Sequence, residues 1–163
     1  KKEEESKEIT APFNPEKDIA SDDWQGMRET LKGARNFEYW WSFTQLAVEM
    51  KILDPDFELG LDNNAWQGMR KVLEGYRNNE YWGDFAWQAM RMKILDPNFD
   101  LGLDDNDWQG MKKRLEKYRN NENWGDFASQ AMRMKILASP RLARALSEGK
   151  IKKYFKEASK KRK

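Results

Sequence analysis

The sequence predicts an all-α protein in which three helical hairpins stack against one another. The first observation is an internal repeat. Trp24, Trp66 and Trp108 are 42 residues apart, and the alignment continues without a gap to the end of each unit. The second is the spacing of apolar residues, which follows one helical face in both halves of each unit. Fixed periods of this length are typical of stacked helical repeats.

The repeats cover about residues 12–137. Their predicted limits are 12–53, 54–95 and 96–137. Residues 1–11 are rich in charge, and we expect a flexible lead-in there. Residues 138–163 depart from the repeat and form a predicted basic helical cap and tail. In that segment Ser139 is suited to cap a helix that begins at Pro140. We expect its apolar side chains to cover the open end of the third unit.

Each unit is predicted to hold two helices, as the second unit illustrates. Its first helix runs roughly from Asn63 to Arg77, with one apolar face formed by Trp66, Met69, Leu73 and Tyr76. Its second helix runs roughly from Glu80 to Leu95. Pro97 ends this helix, because the residue before a proline is pushed out of helical geometry. The short turn between the two helices predicts an antiparallel hairpin.

This organisation resembles the α-solenoid class, and HEAT and armadillo repeats in particular, whose periods of roughly 40–47 residues include 42. The resemblance covers about residues 12–137 and consists of the period and the two helices per unit. It implies a right-handed α-solenoid of three antiparallel helical hairpins with a C-terminal helical cap. It also implies a curved, extended surface that holds a protein or, less often, nucleic acid.

Composition argues against several functions. The chain contains no Cys and no His, so thiol chemistry, zinc–thiolate sites and the commonest general base are missing. It has no glycine-rich phosphate loop and no nucleophile-elbow motif. We therefore expect no enzymatic activity and no cofactor. No apolar run approaches the ~20 residues of a membrane span, and the first residues lack a signal peptide, so a cytoplasmic location is the expectation.

A glycine recurs inside the first helix of every unit. The motif Trp-Gln-Gly-Met places it at Gly26, Gly68 and Gly110. Glycine in a helix interior costs roughly 1 kcal/mol relative to alanine, so a repeated glycine needs a reason. Either another segment packs too closely for a side chain, or a ligand approaches the backbone. Because the glycine returns in all three units, close packing is favoured.

Aromatic residues that differ between units are candidates for partner binding, since they are not needed for stacking. They lie outside the side of the second helix that carries the residues common to all three units. Trp and Tyr commonly anchor protein interfaces. We expect two outward arginines beside them. The predicted contact residues are Tyr39, Trp41, Tyr81, Trp87, Arg91 and Arg133. The alternative interpretation is that these aromatics fill local gaps or contact the N-terminal segment.

The C-terminal segment suggests an alternative function. Residues 138–163 carry 10 basic and 2 acidic side chains, whereas the rest of the chain is mildly acidic. Such a run attracts nucleic acid phosphates or anionic surfaces without sequence preference. The predicted anion-binding residues are Lys150, Lys152, Lys153, Lys156, Lys160, Lys161, Arg162 and Lys163. The competing interpretation is a solvated tail that maintains solubility, or the truncation point of a longer protein.

The loops between units carry acidic residues at spacings that resemble a calcium loop. The oxygen donors are Asp54, Asp56, Glu58 and Asp62 in the first loop, and Asp96, Asn98, Asp100 and Asp104 in the second. Both loops lack the glycine of the sharp turn and the bidentate glutamate. A structural interpretation explains the same residues: proline stops one helix, alternating apolar residues dock the loop, and the last aspartate caps the next helix. We therefore expect no metal site.

Overall fold

The computed structural model describes residues 13–149, and this part of the chain is all-α, as the sequence predicts. It contains eight helices and no strand. The helices are α1 (Pro15–Asp18), α2 (Ser21–Asn36), α3 (Trp40–Leu53), α4 (Asn63–Asn78), α5 (Trp82–Leu95), α6 (Asp105–Asn120), α7 (Trp124–Ala138) and α8 (Pro140–Ser147). None of these eight helices is long and apolar enough to cross a membrane.

Side-chain caps determine where several helices begin. Asp62 and Asp104 each accept a hydrogen bond from the backbone N–H three residues later, at 2.9 and 2.8 Å. Each bond satisfies a donor that a helix N-terminus leaves unpaired. Ser139 caps α8 by accepting from the N–H of Leu142 at 3.2 Å, and Pro140 is its first residue, as predicted. The helices α4 and α5 begin and end within two residues of the limits that the sequence predicts for the second unit.

A glutamate in the left-handed backbone region lies in each three-residue turn between paired helices. These residues are Glu38, Glu80 and Glu122, with φ of 58°, 58° and 53°. In the first turn, the N–H of Tyr39 donates to the carbonyl of Ala34 at 2.7 Å, which is the bond of a Schellman motif. The turn brings α3 back against α2, and the equivalent turns pair α4 with α5 and α6 with α7.

The second helices of the three pairs form the centre of the packing. α3 packs on α5 and α5 packs on α7, and the first helices α4 and α6 also contact the second helix of the preceding pair. Phe43 and Phe85 are fully buried in this arrangement, whereas the equivalent Phe127 in α7 is only half-buried. The core is therefore continuous between pairs and thins at the third pair.

Helix α8, the part of the C-terminal segment that the structure describes, packs across the second helices rather than over the open end of the third pair, which the sequence predicts this segment to cover. It contacts all three second helices, α3, α5 and α7. Arg144 donates to the side-chain oxygen of Asn98 at 3.1 Å, and Gly149 lies beside Pro55 in the loop after α3. Only Ser139 separates α7 from α8, and the chain turns back across the second helices. Burial of Leu142 and Ala143 against these helices favours this course.

Two of the three motif glycines lie directly against a tryptophan of the preceding pair. A Cβ on Gly68 would come within 2.1 Å of Trp40 Cε2, and a Cβ on Gly110 would come within 2.1 Å of Trp82 Cε2. No real side chain tolerates such a distance, so only glycine fits while these indoles keep their positions. The predicted close packing is confirmed at these two glycines. A Cβ on Gly26 would meet no atom within 4 Å.

Candidate functional site

Three aromatic side chains project into solvent at the turns between paired helices. Tyr39 and Tyr81, both predicted contact residues, are 62% and 53% exposed, and Phe37 is 71% exposed. The rings of Phe37 and Tyr39 stack with centroids 5.9 Å apart. We refer to Phe37, Tyr39 and Tyr81 as the turn-edge aromatics. Phe37 and Tyr39 thus form an exposed aromatic pair, and exposed apolar patches are typical of interaction surfaces.

A further aromatic residue links this edge to the interior. Tyr76 in α4 meets Trp41 of α3 edge-on at 5.4 Å and lies 6.2 Å from Tyr81, in each case between ring centroids. Burial raises the pKa of Tyr76 above its ordinary value, because the phenolate is less well solvated there. The ring of Tyr81 thus has Tyr76 as a neighbour on one side, which reduces the conformational entropy that a partner must remove on binding.

The other four predicted contact residues come together as an alternating stack. The guanidinium of Arg91 lies 4.5 Å from the ring of Trp41 and 4.8 Å from the ring of Trp87, measured to the ring centroids. Arg133 continues the stack, with its guanidinium carbon 4.0 Å from the Trp87 ring. We call these four residues the cation–π stack. It crosses all three second helices, from α3 through α5 to α7.

The cation–π stack is largely withdrawn from solvent. Arg133 is only 7% exposed, and the other three members are half-buried. Burial lowers the pKa of both Arg91 and Arg133, because desolvation disfavours the charged form. Both arginines nevertheless remain charged at neutral pH. The faces of the two indoles provide the negative potential that balances these cations. The stack therefore joins the three pairs, and Arg133 is not available to a partner in this arrangement.

Phe37 is a surface residue that sequence reasoning missed. Its equivalents in the other units are Asn79 and Asn121, so the rule that selects aromatics varying between units applies to it as well. The predicted contact residues all belong to the predicted second helices, whereas Phe37 is the C-cap residue of the first helix. The signal that identifies Phe37 is therefore its variation between units at a turn.

The acidic loop residues act as local hydrogen-bond acceptors. Asp54 and Asp96 each accept from the backbone N–H two residues later, at 3.1 and 3.0 Å. Asp100 accepts from the N–H of Gly102 at 2.9 Å, and the last aspartate of each loop caps the following helix. Within residues 13–149, no three acidic, histidine or cysteine side chains are arranged to hold a metal ion.

Apolar residues dock these loops on the first helices, in agreement with the structural interpretation. Trp24 stacks on Phe57 with ring centroids 4.8 Å apart, and Trp66 stacks on Phe99 at 4.3 Å. Arg70 lies over the Phe99 ring and donates to the carbonyl of Asp100 at 3.1 Å. The loops are consequently part of the packed framework.

The basic residues of the tail lie outside the described residues. They are Lys150, Lys152, Lys153, Lys156, Lys160, Lys161, Arg162 and Lys163. Comparisons of this chain with protein-family models, with curated proteins and with solved structures give no match. Inferences about function therefore depend on the residues and contacts described above.

Proposed function

We propose that this chain is a non-catalytic helical-repeat scaffold, a three-hairpin α-solenoid, that binds a protein partner through the turn-edge aromatics. The observation that carries the proposal is the exposure of Phe37, Tyr39 and Tyr81 at successive turns of the repeat. Aromatic side chains contribute large contact areas with few rotatable bonds, which makes them effective anchors at interfaces.

The backbone beside these residues supports the same interpretation. Each turn has a glutamate in the left-handed region, where a non-glycine residue carries a conformational cost. Glycine or asparagine would form this turn with less strain. A recurrent glutamate adds a negative charge next to the aromatic side chains of the edge. A partner that combines apolar and basic side chains would complement both features.

The test is capture of a partner from extracts of the source cells, with proteins identified by mass spectrometry. The bait variant carries Phe37→Ser, Tyr39→Ser and Tyr81→Ser. All three side chains are mostly in solvent, so the helical circular dichroism signal should remain unchanged. The matched control is Ile52→Ser, which removes another exposed apolar side chain, away from the turns. We expect a protein that the native chain and the control retain and that the triple variant loses.

Photo-crosslinking gives an independent readout of the same surface. A benzophenone residue introduced at Tyr39 should crosslink to the captured protein, whereas the same group at the exposed Lys71 of α4 should not. Equal capture by the triple variant and the native chain would contradict the proposal. Crosslinking from Lys71 alone would contradict it as well.

A further inference from the structure

Successive helix pairs, which together we call the array, are joined by a contact between a tryptophan of one pair and a glycine of the next. At each end of the array, one of these residues has no counterpart. Trp40 and Trp82 are 8% and 9% exposed because each covers the glycine of the next pair. The equivalent Trp124 of α7 is 55% exposed. At the opposite end, Gly26 has open space where the other two motif glycines meet an indole. Within residues 13–149, the array therefore ends in an open space over Gly26 on one side and in the exposed indole of Trp124 on the other. We call the open space over Gly26 the socket.

A salt bridge also joins the second and third pairs, and residues equivalent to its two partners lie at the two ends of the array. Arg77 at the end of α4 binds the buried carboxylate of Asp107 through two nitrogens, each 2.8 Å from a carboxylate oxygen. Arg77 also pairs with Glu74 and lies over the ring of Phe85. Asp107 in turn accepts from the backbone N–H three residues earlier, at 3.1 Å.

Each partner of this salt bridge has an equivalent residue at one end of the array: Arg119 is equivalent to Arg77, and Asp23 is equivalent to Asp107. Arg119 pairs with Glu116 at 2.7 Å and lies over the ring of Phe127, as Arg77 does with its own neighbours. Among the described residues, however, it has no aspartate partner. Asp23 accepts from the backbone N–H three residues earlier at 2.9 Å, as Asp107 does, and it is exposed. Arg119 and Asp23 are thus a donor and an acceptor with complementary charge at opposite ends.

The surfaces around these residues are also complementary. On the end formed by α6 and α7, Ala128 and Met132 are exposed, although their equivalents Ala86 and Met90 are buried. On the end formed by α2, a shallow groove of about 640 Å³ lies between α2 and α3. Its lining includes Gly26, Met27, Leu46 and Leu53. This groove is the position that the second helix of a preceding pair would occupy.

We propose that the occupant of this groove is a second copy of the chain, bound head to tail. Trp124 of one copy inserts against Gly26 of the next, and Arg119 of the first copy binds Asp23 of the second. The interface repeats the contacts that join the pairs within one chain, so it continues an interface that the fold already contains. Such a contact is heterologous, and it generates an open filament, or a ring if the rotation closes.

This inference does not depend on the proposed partner surface, because the turn-edge aromatics are not among the residues at either end. The test uses the full chain and measures its mass by light scattering and sedimentation, from low micromolar to near-millimolar concentration. We expect the weight-average mass to rise with concentration beyond that of a dimer. A Cβ at residue 26 would meet no atom within 4 Å of its own chain, so Gly26→Leu should place a side chain in the socket. We expect Gly26→Leu and Trp124→Ala each to weaken association at least ~10-fold.

A charge exchange tests the direction of the contact. Arg119→Glu alone and Asp23→Arg alone should each abolish association, because like charges then face each other. A mixture of the two variants should associate again, since every contact then joins opposite charges. Lys113→Glu is the matched control, with the same charge change at an exposed residue of the same helix, and it should associate like the native chain. A monomeric native chain at every concentration would overturn the proposal. Association that all four variants retain, or a mixture that stays monomeric, would overturn it too.

Discussion

The indole of Trp82 lies so close to the backbone of Gly110 that a Cβ at residue 110 would be 2.1 Å from Cε2 and 2.5 Å from Nε1 of the ring. The same relationship joins Trp40 and Gly68. Each glycine costs helix stability, and each indole gains a flat surface against which to pack. The two contacts fix the position of a helix relative to the preceding pair, and their loss should affect stability more than any exposed change.

Replacing a tryptophan between two pairs should cost more stability than replacing the equivalent tryptophan at the end of the array. Trp82→Ala removes a nearly buried indole and leaves a cavity over Gly110, so we expect a loss of about 3–5 kcal/mol in the free energy of unfolding. Trp124→Ala removes the equivalent but mostly exposed indole, and we expect a loss of about 1–2 kcal/mol. Urea unfolding at low protein concentration measures both values. Equal losses would show that Trp82 has no special role.

The two salt bridges between pairs should differ in strength. Asp107 is completely buried and binds Arg77 in a bidentate arrangement, so Asp107→Ala should cost about 2–4 kcal/mol. Asp62 pairs with Arg35 at 3.2 Å in an exposed position, so Asp62→Ala should cost clearly less than Asp107→Ala, mostly through the lost helix cap. Thermal unfolding in low and high salt checks the contrast. A larger loss for Asp62→Ala would contradict the assigned geometry.

The cation–π stack should tolerate an apolar replacement better than a reversed charge. Arg133→Met keeps most of the volume beside Trp87 and removes a desolvated cation, but it also removes the hydrogen bond that Arg133 donates to the buried Oε1 of Gln130 at 3.1 Å. We therefore expect a loss of about 1–2 kcal/mol. Arg133→Glu puts a carboxylate over the negative face of the same ring and should cost more than about 2 kcal/mol. Chemical unfolding monitored by tryptophan fluorescence reports both. A severe loss in Arg133→Met would mean that the positive charge itself is required.

Substitution by glycine should stabilise the fold at the turn glutamates, whose φ is positive, and destabilise it inside a helix. Glu80→Gly relieves the positive φ and should stabilise the fold by about 0.5–1 kcal/mol. Lys71→Gly, in the exposed interior of α4, should destabilise it by about 1 kcal/mol. Differential scanning calorimetry measures both shifts. Destabilisation by Glu80→Gly would indicate that the glutamate side chain makes a contact that the turn needs.

The helices were predictable because their signals are local. The repeat period, the aspartate caps and the prolines lie within the segment that they control, and α4 and α5 agree closely with the expected limits. The exposure of Tyr39 and Tyr81 also follows from their position beside the turn.

The contacts between pairs were not predictable in the same way. The side of a helix on which Trp41 or Arg133 lies can be calculated, but not which neighbouring helix occupies that side. A side chain that points away from its own helix pair can point toward the next pair. The members of the cation–π stack do so, and they therefore pack against one another. The course of α8 likewise depends on tertiary packing against α3, α5 and α7 rather than on its own sequence.

Whether the motif glycine serves the packing of one pair on the next can be decided by comparing two variants. The free energy of unfolding is measured for Gly68→Ala and Gly26→Ala, side by side at low concentration. Gly68→Ala must displace the Trp40 indole and should lose about 1–2 kcal/mol, even though alanine favours the helix. Gly26→Ala meets no atom within 4 Å and should gain up to about 1 kcal/mol. Stabilisation by both substitutions would contradict the claim, because the glycine would then have no packing role at Gly68.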